Sequence, residues 1–145
     1  MKIAIASDHG GFKLKESLKK YLADKGYDVV DVGTNNTESC HYPEFAVKCA
    51  EQVRDGACRF GIIVCTSGEG VAMAANKIKG IRAGIGYNVT VSRLMREHND
   101  ANIITYGEKF TTFKQAVART EAFLNAEFQG GRHAIRVQMI KDLEK

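Results

Sequence analysis

The stretch "FGIIVCTSGEG", residues 60–70, decides the fold. Its first six residues, 60–65, are a nearly unbroken apolar run. A run this short and this apolar reads as a strand buried on both faces, as in parallel sheets. Thr66, Ser67, Gly68, Glu69 and Gly70 then form a small polar turn, and a helical pattern over 70–78 follows. Strand, tight turn and helix together are the repeating unit of an α/β protein.

The same unit recurs on both sides. "KIAIAS" (2–7) reads as the first strand, and Leu14, Leu18, Tyr21 and Leu22 mark one face of a helix over 12–25, ended by Gly26. "YDVVDVG" (27–33) is the second strand; Ala46, Cys49, Ala50 and Val53 then share one side of a helix over 44–55. Beyond the opening stretch come a strand "RAGIGY" (82–87), a helix over 88–97, a strand "NIITYG" (102–107) and a helix over 112–125. An extra C-terminal helix, 132–144, has no strand after it.

Five alternations with short connections predict a doubly wound parallel sheet with helices on both faces. The expected strand order is the flavodoxin-like 2-1-3-4-5. Ligands in such sheets bind beyond the carboxyl ends of the strands, where the order reverses. Here that point lies between strands 1 and 3. It sets "SDHGG" (7–11) opposite "CTSGEG" (65–70).

Composition narrows the function classes. The 145 residues fit one domain, 1–145, and show no linker or repeat. No apolar run has the length of a membrane span or a signal peptide, so a cytoplasmic protein without membrane contact is expected. Cys40, Cys49, Cys58 and Cys65 form no CxxC pair and no zinc-type spacing, and disulfides are not expected in that compartment. Cys49 reads as a small buried hydrophobe. The net charge of +4 is dispersed rather than gathered among aromatics, which argues against nucleic acid. A few arginines collected on an anionic small molecule account for it equally well.

The loops carry the chemistry. Gly68 and Gly70 let backbone approach a ligand, and the helix that follows offers free N–H groups to an anion. The pattern is neither a G-x-x-x-x-G-K-[ST] loop nor a full G-x-G-x-x-G fingerprint. Cys65 stands before a helix start, a setting that favours a reactive thiolate; a strand-end core cysteine is the plain alternative. Val71 occupies the place where one phosphatase class needs arginine, and Cys65 the place where phosphoacceptor domains need aspartate. Asp8 and His9 suit sugar hydroxyls or phosphate, although Asp8 serves equally as an N-cap. His98 and Asn99, in "REHNDAN" (96–102), precede strand 5 and so begin at the opposite end of the sheet. They are either a polar helix end or residues of a partner's site. Arg132 and Arg136, four apart at a helix start after Gly130 and Gly131, form either a phosphate clamp or a solvated basic face.

The segments "KIAIASDHGGF", "DVGT", "YPEFA", "CTSGEGVAMAANKIKGIRA", "REHNDANI" and "GGRH" with Arg136 are similar, in order and spacing, to the type B branch of the ribose/galactose isomerase family. The resemblance spans essentially the full chain. It implies a metal-free, cofactor-free aldose–ketose isomerase of a phosphorylated sugar: ribose 5-phosphate first, with a hexose 6-phosphate or a non-catalytic sensor role as alternatives. It also implies a homodimer or dimer of dimers, with sites shared across the interface.

By position, the resemblance makes Cys65 the general base of a cis-enediolate reaction and Ser67, Asp8 and His98 the ring-opening group, with His98 from the partner. Asn99, also from the partner, would hold the enediolate. His9, Arg132 and Arg136 would bind phosphate, Tyr42 would lie near the sugar, backbone N–H groups of the loop through Gly70 would stabilise the oxyanion, and Thr66, Gly68, Glu69, Gly70 and Lys109 would line the substrate. Three positions depart from the family pattern. Thr66 stands where many members have glycine, Glu69 where a neutral residue is common, and Lys109 where arginine is frequent. One branch uses a glutamate base, but at the position of Val71, so Glu69 does not replace Cys65.

Overall fold

The computed structural model describes residues 1–145. Five parallel strands form one sheet: β1 (Lys2–Ser7), β2 (Asp28–Asp31), β3 (Phe60–Cys65), β4 (Ala83–Ile85) and β5 (Ile103–Gly107). Six α-helices accompany them: α1 (Phe12–Asp24), α2 (Tyr42–Arg54), α3 (Glu69–Ala75), α4 (Val89–Glu97), α5 (Phe113–Asn125) and α6 (Arg132–Asp142). No helix is long and apolar enough to cross a membrane.

The doubly wound α/β class is as expected, but the strand order is β2-β1-β3-β5-β4, which corrects the expected 2-1-3-4-5. The reason lies in the two last strands. All of β5 is buried, so it belongs between two neighbours. β4 is only three residues long and half-exposed along its length, which suits an edge. Glycines lie in it and just past it: a Cβ on Gly84 would stand 2.9 Å from Met95 Sδ, and one on Gly86, beyond its end, 2.6 Å from the Tyr106 ring. The expected reversal between β1 and β3 is unaffected.

The two faces of the sheet carry different cores. Ile3, Ile5, Ile62, Val64, Ile104 and Tyr106 pack under α1, α4 and α5, against Leu14, Leu18, Leu22, Met95, Phe123 and their neighbours. Ala4, Ala6, Ile63, Cys65 and Ile103 face α2 and α3, where small residues such as Ala46, Cys49 and Ala50 let the helix lie close. A Cβ on Gly61 would meet Cys49 Sγ at 2.8 Å. Cys49 is the expected core thiol, and its burial pushes it far above the usual thiol range.

One ionic knot ties the first crossover together. Lys15 on α1 is fully buried, and its Nζ donates to both Asp31 oxygens (2.9 and 2.7 Å) and to the carbonyl of Thr34 (2.8 Å). Burial works against the Asp31 carboxylate, but hydrogen bonds from Lys15, Lys19 and the Gly33 amide outweigh it and hold the group below its ordinary range. The segment so fixed lies against the end of β1: Ser7 N–H donates to Gly33 O, and Thr34 N–H to Ser7 O, both at 2.7 Å.

Candidate active site

The loops after β1 and β3 meet, as the switch point requires. Asp8 N–H donates to Val64 O at 3.3 Å. A Cβ on Gly11 would stand 2.3 Å from Val64 O, and one on Gly10 2.3 Å from Thr66 Oγ1, so two glycines permit the approach. Asp8 does act as a cap: its Oδ1 accepts from Gly10 N–H (2.9 Å) and Gly11 N–H (3.1 Å). Glu108 Oε1 accepts from Leu14 N–H at 2.7 Å. Asp8 thus closes the turn before α1, and Glu108 takes one amide of the helix's first turn. His9 Nδ1 accepts from Cys40 N–H at 3.2 Å, which leaves the proton of the neutral ring on Nε2.

Cys65 is the last residue of β3 and 5% exposed. Its Sγ accepts the Gly68 N–H at 3.1 Å. Gly68 has φ +81°, and a Cβ there would stand 2.9 Å from the Tyr106 carbonyl carbon; no other residue turns the chain back on the sulfur so cheaply. β5 holds the loop from the other side. Thr105 Oγ1 donates to Gly68 O at 2.8 Å, and Lys109 N–H to Thr66 O at 3.2 Å. Ser67 Oγ accepts from Glu69 N–H at 3.2 Å. The amides of Gly70 and Val71, in the first turn of α3, have no partner within the helix. The Tyr42 ring closes over Gly70, where a Cβ would stand 2.6 Å from it. The arrangement is an acceptor sulfur beside amide donors, a hydroxyl and a carboxylate. It can take a proton from carbon and hold the oxyanion that results.

A second group collects at the amino end of the sheet. His98 caps the C-terminus of α4, and Asn99 follows it. Their connection to β5 is rigid. Arg82 Nε donates to Asn99 O (3.2 Å) and Asp100 O (3.1 Å), and the nearly buried Arg96 donates to Asp100 Oδ1 (2.8 Å) and Ala101 O (2.7 Å). Arg132 and Arg136 stand exposed on α6 beside this group. The His133 ring stacks on the His98 ring, with centroids 4.2 Å apart.

The structure thus brings Asp8, His9, Tyr42, Cys65, Thr66, Ser67, Gly68, Glu69, Gly70 and Lys109 to one end, and His98, Asn99, Arg132 and Arg136 to the other. Cys65 pairs with Gly107 and Gly61 with Ile103. The two ends of β5 are therefore roughly 13 Å apart at about 3.3 Å per residue. No single crevice of the chain contains both groups. A cleft of about 720 Å³ lies at the amino end between the α3–β4 connection and α6; Lys77, Arg82, Asn99 and Leu143 line it. A smaller one, about 400 Å³, touches Ser67 and Glu69. No cluster of His, Cys, Asp or Glu side chains is arranged to hold a metal ion. Sequence reasoning passed over two residues, His133 and Glu108. Each acts through a contact distant in sequence that no local motif announces.

Fold and loops together define a doubly wound α/β protein with a thiol-bearing crevice at its switch point and a basic, imidazole-bearing second patch. The chain belongs to the Ribose/Galactose Isomerase family, whose model matches residues 3–140. It is 38% identical over 144 residues to ribose-5-phosphate isomerase B of Escherichia coli, covering 99% of this chain and 97% of that one. The solved ribose-5-phosphate isomerase B of Clostridium thermocellum superposes with a TM-score of 0.98 at 48% identity, covering 99% and 97% of the two chains. That of Mycoplasma genitalium, solved with bound ribulose-5-phosphate, superposes at 0.94 with 37% identity, covering 99% and 95%.

Proposed function

We propose that this protein interconverts ribose 5-phosphate and ribulose 5-phosphate, with Cys65 as the general base. The observation that carries the reading is the Cys65 sulfur at the switch point, receiving the Gly68 N–H at 3.1 Å beside Ser67, Asp8 and the first turn of α3. The Cys65 thiolate removes the proton from C2 of the open-chain aldose. The electron pair forms the C1–C2 double bond of a cis-enediolate, and the free amides of Gly70 and Val71 stabilise the developing oxyanion. Return of the proton to C1, with a hydroxyl proton moving between O2 and O1, gives the ketose. A phosphate held by His9 and the arginines fixes the reacting carbons from a distance.

The catalytic unit is a homodimer in which each crevice is completed by the partner. His98 of one protomer opens the furanose ring with Asp8 and Ser67 of the other; Asn99, Arg132 and Arg136 enter with it. Two features support this assembly. The two groups of residues lie at opposite ends of one sheet, and α6 exposes Ile135, Met139 and Ile140, with Leu143 just past its end, apolar side chains on the same helix as the arginines. Thr66 favours the smaller sugar. Its hydroxyl fills the space beside Gly10 that a glycine would leave open.

The test is incubation of the purified protein and its Cys65→Ala variant with ribose 5-phosphate, allose 6-phosphate and galactose 6-phosphate, with ketose formation followed by NMR. Turnover of ribose 5-phosphate by the parent alone supports the reading. Binding without turnover in the parent contradicts it.

A further inference from the structure

Between Arg132 and Arg136 lies the one side chain of α6 that the fold sets face to face with His98. His98 donates its backbone N–H to Leu94 O at 2.8 Å, and its ring makes no hydrogen bond within the chain. An imidazole at a helix end, left alone, samples several rotamers. Here the His133 ring covers it, with centroids 4.2 Å apart and planes 8° from parallel. The approach is built rather than incidental. Gln129 N–H donates to Glu97 O at 3.0 Å, next to His98 in the chain. Gly130 and Gly131 then turn with φ of +68° and +55°, conformations that side chains rarely adopt. Val137, the one buried residue of α6, seats the helix one turn further on.

We infer that His133 is a positioning residue for His98: its ring face fixes the direction of the His98 nitrogens, so that the ring-opening proton is delivered along one line. The inference rests on the proposed role of His98. It gives His133 a task distinct from that of the two arginines that flank it. Partial burial, then His98, Arg132 and Arg136, hold His133 below the usual imidazole range, which suits a ring that packs rather than one that binds an anion. The contact is a planar stack, and its value is orientation. Small errors of geometry in a reacting group are expensive in rate.

Two variants test it, His133→Ala and His133→Phe, each measured by steady-state kinetics on ribose 5-phosphate and by the ring-proton NMR resonance of His98. The chain has four histidines, so the assignment is tractable. The alanine variant is expected to lose about tenfold in kcat with KM within about twofold. Phenylalanine keeps an aromatic face and is expected to restore kcat to within about threefold of the parent. The His98 resonance should shift in the alanine variant, as the stacking ring current disappears, and stay near its place in the phenylalanine variant. A rise in KM at unchanged kcat would make His133 a substrate ligand and overturn the inference. So would unchanged turnover, or a His98 resonance indifferent to the alanine substitution. If the parent itself fails to turn over ribose 5-phosphate, the functional reading and the kinetic role fall together; the His98 resonance still reports separately whether the stack exists.

Discussion

At the carboxyl end of the sheet, the loop after Cys65 is gripped from three sides: by the Asp8–Gly11 turn, by Thr105 and Lys109 beside β5, and by Tyr42 over Gly70. At the amino end, Arg132 and Arg136 stand on a helix that buries only Val137 and exposes three large apolar side chains. The first group is held in place by contacts within its own chain. The second has its charge on the exposed face of α6 and its imidazole at the end of α4. In the proposed site, carbon deprotonation falls to the firmly held group, while ring opening by His98 and phosphate binding draw on a surface that a second copy of the chain would cover.

The comparison can be broken at each end, and the largest effect is expected at the sulfur. Cys65→Ala should lower kcat by about 10³-fold or more while sugar-phosphate binding survives, since a general base is removed and the amide donors remain. Calorimetric titration beside the kinetic assay checks it; substantial residual turnover would remove Cys65 from the role. At the other end, Arg132→Ala should act mainly on KM, raising it about tenfold or more, because a charge-assisted phosphate contact is lost. A fall confined to kcat would contradict the division of labour.

The rigidity of the carboxyl end has its own test. Asp31→Asn leaves the buried Lys15 ammonium with weaker partners and should destabilise the fold by about 3 kcal/mol, read from urea unfolding. Because the Asp31 carboxyl is held low, its contribution is full above the unfolded value of about 3.9 and is lost as pH falls through the lower folded value. The parent should therefore lose stability in acid more steeply than the variant; parallel acid curves would show that the knot is not what holds the Gly33–Thr34 segment. The smallest effect is expected at the rim. Thr66→Gly should open the space beside Gly10 and raise the hexose 6-phosphate to pentose phosphate ratio of kcat/KM a few-fold, about 1 kcal/mol of discrimination.

Much of the fold and of the crevice is legible in the sequence alone. The buried run 60–65, the helical faces and the glycine-bearing turns each state their structure locally, and the meeting of loops 7–11 and 65–70 follows from topology. The order of β4 and β5 did not follow, because which strand becomes the edge is settled by pairing partners. The signal was nonetheless present: "NIITYG" is uninterrupted, whereas glycines divide "RAGIGY". Asp8 illustrates a different limit. Its capping role and its candidate catalytic role use the same carboxylate, and only Oδ1 is taken up by Gly10 and Gly11. Glu108 at the start of α1 and His133 on His98 depend on contacts between residues far apart in sequence, to which periodicity and motifs are blind.

The most direct measurement mixes two inactive proteins. Cys65→Ala disables the carboxyl-end group and His98→Ala the amino-end group. If each site joins one group from each protomer, unfolding and refolding an equal mixture forms mixed dimers holding one intact site. Activity should then return to about a quarter of the parent level, from random pairing of a two-fold dimer. No recovery, in a mixture shown to contain mixed dimers, would contradict a site shared across the interface and require both groups to act within one chain.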